Sequence, residues 1–533
     1  MTGRLRLNEG NRRWWTLVAM CFALFMIMLD NTVVNVALPS IQSDLHANLS
    51  ALEWTINAYT LSFAVLLVTG GRLGDIFGRR RMFLAGVVIF ALSSAAIGLA
   101  PTDTALVLGR AVQGIGAALM MPATLSIITN AFPPHERGKA IGTWAGVSAL
   151  ALAIGPVLGG FLTESVSWRA IFFLNLPVAA GAVAVTLFAA HESRDETVSR
   201  RIDLPGIFTL TAGLTALVLA LVEGNQWGWG SARIVGLLAG AVVGLAAFVL
   251  IERRSANPMV DFSFFRSRTF LGANIVAFVV SFAMLAMFFF IALYMQNILG
   301  YSPLEAGVRF LPSTLMVMVI GPVAGRLTDK VGPRPLLLIG LVTVAASLLW
   351  QSFLRVDSGF GFLLPAFVAM GAGIALVMSP MSTAAMNSVH QAKAGVASGV
   401  LSMSRMVGGT FGVAALGALV AALGRSKLGE LLPTLPAGQR EQLVQGLGSG
   451  AAPAGGAASP VTRAMRESFV YALQNGLRLG AAVALVGAVA AAVLITRHPA
   501  RPGDHEPVGV DLAAGTPAAE EAAGELRREP ARA

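Results

Sequence analysis

Gly71-Arg-Leu-Gly-Asp-Ile-Phe-Gly-Arg-Arg-Arg81 is a short polar stretch set between two strongly apolar runs. It returns as Gly325-Arg-Leu-Thr-Asp-Lys-Val-Gly-Pro-Arg334, again between apolar runs. Gly71, Arg72, Leu73, Asp75, Gly78 and Arg80 map onto Gly325, Arg326, Leu327, Asp329, Gly332 and Arg334 at one constant offset. Two copies of one polar stretch in one apolar chain imply an internally duplicated membrane protein built from two similar halves. Each copy reads as a loop joining two membrane spans.

The surrounding composition agrees. The 533 residues are 55% hydrophobic and 12% charged, where a soluble domain carries about 25% charge. Apolar runs of roughly 18 to 25 residues recur fourteen times between about residues 14 and 496, so the chain is expected to be an all-α, multi-pass membrane protein. Displacing the second half onto the first pairs spans 1–6 with spans 9–14 and leaves spans 7 and 8 unpaired. The expected architecture is therefore two six-helix bundles plus two extra central helices. Its segments are a terminus at 1–13, a first bundle at 14–190, the extra pair with its linkers at 191–269, and a second bundle at 270–498. A long Gly/Ala/Pro-rich outer loop is expected at 424–474, with a short helix near Gly438–Gly446, and a disordered tail at 499–533.

The net charge of +10 does not point to nucleic acid once the charges are placed. Arg12, Arg13, Arg72, Arg79 to Arg81, Arg137, Lys139, Arg253, Arg254, Arg326, Lys330 and Lys393 fall in alternate inter-span segments, all on one face. Basic segments stay inside, so both termini are expected to be cytoplasmic. The first apolar run, Trp14 to Ala37, is too long for a signal-peptide core and reads as an uncleaved span. The single cysteine, Cys21, allows no disulfide within the chain.

Within this apolar background a few groups could carry chemistry. Asp30 lies inside span 1, where a carboxylate costs on the order of 2.5–3.5 kcal/mol on insertion scales. Burial and a neighbouring cation act on it in opposite directions, so it could bind and release a proton; it could also simply cap the local backbone. Arg110 in span 4 shares a helical face with Gln113, Gly114 and Ala117. It could tune a proton site such as Asp30 or bond broken-helix carbonyls. Gly146, Gly155, Pro156, Gly159 and Gly160 in span 5 combine close helix approach with a proline hinge. Asp75, with Gly71, Gly78, Arg79 and Arg80, suits a conformational latch facing a helix N-terminus, and Asp329 a weaker copy of it. Arg309 and Arg405 read as structural charges in or near spans.

Several of these patterns carry a resemblance. Gly71 to Arg80 resembles the signature loop of the major facilitator superfamily. Leu29-Asp-Asn-Thr-Val-Val-Asn-Val-Ala-Leu-Pro39 resembles the span-1 motif of its fourteen-span drug:proton antiporters. Leu106-Val-Leu-Gly-Arg-Ala-Val-Gln-Gly114 is similar to the span-4 motif, and the Gly146 to Gly160 spacing to the antiporter motif of span 5. The resemblance implies the major facilitator fold, with protons as the coupling ion and no other cofactor. It assigns proton coupling to Asp30, with Arg110 as its partner, and a hinge and seal to the span-5 glycines. It implies export of a lipophilic, cationic or aromatic compound in a bacterial plasma membrane. Asn31, Asn35, Trp54, Asn57, Gln113, Met120, Met121, Tyr294, Gln296 and Asn297 are the expected substrate-cavity contacts. Partners would be the small substrate and the bilayer, with no nucleic acid, and the protein would be a monomer. Alternatives are an exporter of one endogenous metabolite, antibiotic or lipid, or a non-transporting sensor on the same scaffold. No nucleophile–base set, metal-type cluster or nucleotide-binding Gly-Lys-Ser/Thr loop is present, so neither an enzyme nor an ATP-driven pump is expected.

Overall fold

The computed structural model describes residues 9–47, 49–196, 202–255, 258–434 and 459–497, together with 436, 439 and 443. Fourteen helices among them are long and apolar enough to cross a bilayer. In chain order they are α1 (Glu9–Leu45), α2 (Leu49–Phe77), α3 (Arg79–Gly98), α4 (Asp103–Ala131) and α5 (Arg137–Ser165). α6 (Ala170–Ala189) follows, then α7 (Leu204–Trp227), α8 (Ala232–Arg254), α9 (Arg268–Asn297) and α10 (Leu304–Val331). The last four are α11 (Pro333–Gln351), α12 (Phe360–Asn387), α13 (Ala394–Leu431) and α14 (Pro460–Leu494).

The architecture is two six-helix bundles, α1–α6 and α9–α14, with α7 and α8 added between them in sequence. The added pair packs on itself, and α7 leans on α2 and α13. The main cross-bundle pairings are α5 on α10 and α2 on α13. Both depend on glycine. A Cβ on Gly71 would strike the carbonyl of Gly395, one on Gly142 that of Gly321, and one on Gly325 that of Gly138. In lipid, where apolar side chains gain little by leaving their surroundings, such backbone approach is what holds helices together.

Two expectations change. The two polar stretches are not loops. α2 continues helical to Phe77 and breaks at Gly78 alone, whose φ of 109° suits glycine. The second copy repeats this with Gly332 at φ 85°. Polar residues at a membrane surface lengthen the helix beyond the lipid, and only the left-handed glycine turns the chain. The long outer loop is also shorter than 424–474, because α13 runs to Leu431 and α14 begins at Pro460. The first turns of α14 carry Arg463, Arg466 and Glu467, a polar helix outside the lipid that hydropathy does not register. The expected helix near 438–446 falls largely outside the described residues, and so does the tail.

Candidate functional site

Five helices of the first bundle converge on Asp30. The carboxylate is 3% exposed. Its Oδ2 lies 2.5 Å from Arg110 Nη1 on α4. Its Oδ1 accepts from Gln113 Nε2 at 2.9 Å and from Asn175 Nδ2 of α6 at 3.2 Å. Ser94 of α3 joins the ring, its Oγ 2.8 Å from Gln113 Nε2 and 3.2 Å from Asn175 Nδ2. Arg110 is held from the other side. Its Nε donates to the Thr55 carbonyl of α2 at 3.0 Å, its Nη1 to Gln113 Oε1 at 2.6 Å, and its guanidinium lies 4.2 Å from the Tyr59 ring centre. A buried ion pair breaks even only when its remaining donors and acceptors are satisfied, and here both Asp30 oxygens and the Nε and Nη1 of Arg110 have partners.

The pairing of Asp30 with Arg110 joins the two residues that the motifs singled out. Ser94, Asn175 and Tyr59 were missed. Asn175 had a signal, a lone amide in the apolar run Phe172-Phe-Leu-Asn-Leu-Pro177. A serine in a membrane helix is too common to have marked Ser94.

The other expected cavity contacts divide. Asn31 is half-buried and reaches the Tyr59 hydroxyl at 3.5 Å, beside the network. Trp54 and Asn57 on α2 are half-buried and Asn35 is exposed. Met120 is fully buried against Gly86 of α3, inside one bundle, because a thioether fills the gap that a glycine leaves. Met121 is 7% exposed. Tyr294 is buried, and its hydroxyl lies 2.8 and 2.7 Å from the carbonyls of Arg355 and Ser358, so it ties down the turn between α11 and α12. Gln296 and Asn297 sit half-buried at the end of α9.

On the basic face the two polar stretches clamp the bundles together. Asp75 is 1% exposed and accepts four hydrogen bonds. Two come from Arg79, Nε at 2.9 Å and Nη2 at 2.6 Å. Two come from backbone N–H groups opening α13, Gly395 at 2.9 Å and Val396 at 2.8 Å. A carboxylate at a helix N-terminus meets unpaired N–H donors and the positive end of the helix dipole. Arg79 also reaches across, its Nη2 donating to the carbonyls of Gln391 at 2.9 Å and Ala392 at 2.5 Å. Asp329 repeats the geometry on α5, accepting from Gly138 N at 2.9 Å and Lys139 N at 3.0 Å. It has no arginine of its own, because Pro333 stands where Arg79 stands in the first copy.

Arg80 turns away from the seam. Its Nη2 donates to the Leu187 carbonyl of α6 at 3.1 Å, while Glu192 accepts the N–H groups of Arg80 and Arg81 at the start of α3. Arg137, considered in the sequence only for its charge, is a further tie: Nη1 donates to Asn387 Oδ1 of α12 at 2.8 Å. Ser379 and Ser398 complete the closure, bonding the Gly138 carbonyl at 3.2 Å and the Pro122 carbonyl at 2.7 Å.

The span-5 glycines face two partners. Gly155 and Gly159 lie against Thr32 and Val33 of α1, and Gly146 against Met318 of α10. α5 is helical throughout, and the Pro156 side chain lies outside the described residues. Arg309 stacks on Tyr301 at 3.7 Å and lies 5.6 Å from the Phe360 ring centre, a structural placement.

Sequence and fold comparisons bear on the family and the fold. A profile described as Major Facilitator Superfamily matches residues 20–413. The chain is 37% identical over 519 residues to the tetracenomycin C resistance and export protein of Streptomyces glaucescens, covering 95% of each. It is 39% identical over 408 residues to the multidrug resistance protein Stp of Mycobacterium tuberculosis, covering 76% of each. It is 40% identical over 412 residues to the puromycin resistance protein pur8 of Streptomyces alboniger, covering 76% of this chain and 81% of that one. Among solved structures, the human organic anion transporter MFSD10 superposes with a TM-score of 0.58 at 14% identity, covering 90% of this chain and 99% of that one. A double-tryptophan mutant of XylE gives 0.62 at 14% identity, covering 93% and 98%. At that identity the structures speak for the fold alone.

Proposed function

The chain belongs to the Major Facilitator Superfamily, and on that premise we propose that it is a proton-coupled exporter of lipophilic, cationic or aromatic compounds, working by alternating access. The observation that carries this reading is the Asp30–Arg110 pair, a carboxylate and a guanidinium 3% and 1% exposed inside a transport bundle. A proton on Asp30 removes one charge of the pair and loosens every bond that Arg110 and Gln113 make to it. Proton loss restores them. The group is thus built to exist in two states of different geometry, which is what a coupling site needs. Moving one charge across about 100 mV supplies roughly 2.3 kcal/mol, enough to sustain a substrate gradient of around fortyfold.

The basic face is the cytoplasmic one in this reading, with both ends of the chain on that side of a bacterial plasma membrane. The latches then close the cytoplasmic end, and their release is the step that turns the binding site inward. The protein acts as a monomer, with the proton as its only coupling species. The long match to an antibiotic resistance and export protein favours, as a second reading, a dedicated exporter of one endogenous metabolite, antibiotic or lipid.

The test is efflux of two coloured aromatic compounds, the cation ethidium and the phenol alizarin, from energised cells. Wild type is compared with Asp30→Asn, with and without a protonophore. Efflux lost on both mutation and uncoupling supports the proposal. Uncoupler-sensitive efflux that survives in Asp30→Asn removes Asp30 from the coupling step. A well-folded wild type that moves neither compound, yet moves a single antibiotic, metabolite or lipid, selects the dedicated exporter.

A further inference from the structure

Neither the latches nor the Asp30 network uses Arg405, which stands well inside α13. On that helix Ser398 bonds to the Pro122 carbonyl of α4, so its stripe faces the first bundle. Arg405 is seven residues on, along the same stripe. Its guanidinium lies 6.0 Å from the ring centre of Trp144 on α5. Trp144 is 3% exposed, and its indole N–H is buried with no hydrogen-bond partner among the described residues. Arg405 makes one hydrogen bond to a described residue, from Nη2 to Ser402 Oγ on its own helix at 3.3 Å, and no ion pair. The buried carboxylates of the first bundle, Asp30 and Asp75, are already occupied by Arg110 and Arg79.

Two donors therefore meet at the seam between bundles: the buried Trp144 indole N–H has no acceptor among the described residues, and the half-buried Arg405, with five N–H groups, has one, a serine hydroxyl of its own helix. An unmade hydrogen bond on a buried donor is costly, so such a donor favours an incoming acceptor. The half-buried guanidinium also presents a flat surface on which a planar ring can stack, beside the edge of the indole. We propose that Arg405 and Trp144 form a recognition site for the acidic oxygen of a planar aromatic substrate, such as a phenolate or aryl carboxylate. The proposal rests on the export reading and narrows its substrate class. It also disfavours lipophilic cations at this position, since they would meet a fixed positive charge.

Binding of alizarin and of its dimethyl ether to the full-length protein in nanodiscs, by equilibrium dialysis at pH 8, tests it. Empty nanodiscs correct for partition into lipid. Wild type should prefer alizarin by about tenfold or more, the worth of one charge-assisted hydrogen bond. Arg405→Gln should bring the two compounds within about twofold of each other, with ether binding unchanged, while Arg405→Lys retains most of the preference. Trp144→Phe removes the indole N–H but keeps an aromatic ring in place and should lower alizarin binding alone by about fivefold. No preference in wild type, or a preference untouched by both Arg405→Gln and Trp144→Phe, overturns the site. Proton-driven efflux without that preference leaves the export reading standing and removes only this site. A preserved preference in a protein that exports neither compound does the reverse.

Discussion

Asp75→Asn should open the basic face. In the closed arrangement Asp75 accepts two bonds from Arg79 within its own bundle and two from Gly395 and Val396 in the other. When the bundles part, the Arg79 bonds can persist and the two cross-seam bonds cannot, so only the latter bias the equilibrium. Hydrogen bonds to a charged acceptor contribute roughly 1.5–3 kcal/mol each. An asparagine keeps one acceptor oxygen, turns an N–H toward a donor and loses the attraction to the start of α13, for a total of about 3 kcal/mol. That is a shift of about 150-fold in the closed-to-open ratio. Spin labels at Phe77→Cys and Val331→Cys, the equivalent exposed helix ends of the two bundles, read the separation by pulsed electron resonance in a Cys21→Ser background. Wild type should give one short distance and Asp75→Asn a substantial longer population. Asp329 makes the same two cross-seam bonds but is half-buried, so water screens them and Asp329→Asn should shift the ratio only about fivefold. A distribution unchanged in Asp75→Asn, or an Asp329→Asn that opens the face further than Asp75→Asn does, would refute the reasoning.

Asp30→Ala leaves Arg110 as an uncompensated buried charge and should cost about 3–5 kcal/mol, seen as a large fall in Tm in detergent, while Asp30→Ala with Arg110→Leu recovers much of it. Asn175→Leu removes one donor to Asp30 and should cost about 1–3 kcal/mol; a double-mutant cycle with Asp30→Asn should show non-additivity, and simple additivity would exclude Asn175 from the network. Asp261, in the linker before α9, is buried enough to raise its pKa, but hydrogen bonds from Lys393 and Ser263 outweigh that and hold it below the ordinary carboxylate value. Its bridge to Lys393 at 2.6 Å therefore stabilises the fold above the unfolded-state pKa of Asp261 and is lost as pH falls through the folded one. Both partners are partly exposed, so Lys393→Met should cost less than about 1 kcal/mol near neutrality and nothing once Asp261 is protonated. A Tm difference that persists undiminished at the acid end would contradict this.

What the sequence disclosed followed from where apolar residues and charges are costly. Fourteen spans were legible because a bilayer demands long apolar runs, and Asp30 and Arg110 stood out because charge within such runs is expensive. Their partners were harder to see. Ser94 and Asn175 are ordinary residues until the bundle places them around one carboxylate. The latch stretches misled in the opposite sense, since glycine and polar residues between apolar runs resemble a turn. The structure uses the glycines for close helix approach and confines the turn to Gly78. Met120 and Tyr294 show why residue type alone does not place a cavity. Both chemistries suit a binding site, and both side chains are committed to packing or to a backbone tie.

The two features legible in the sequence are joined by one helix. α2 offers the Thr55 carbonyl to Arg110 near one end and carries Asp75 near the other. The twenty residues between them span about 30 Å. Along that length α2 is pressed on α4: a Cβ on Gly114 would collide with Ser62 and the Tyr59 carbonyl, and one on Gly70 with the Ala118 backbone. Two helices in backbone contact move together more readily than they slide. Arg110 is the side chain of α4 that holds Asp30 on α1, so its grip determines how the α2–α4 pair sits against α1. Whatever changes the charge of Asp30 changes that grip at one end of the pair, and the latch that closes the bundles is fixed at the other. The second half has no such link, since Leu364 stands where Arg110 stands and Pro333 where Arg79 stands. The asymmetry between two duplicated halves thus falls at both ends of this one connection.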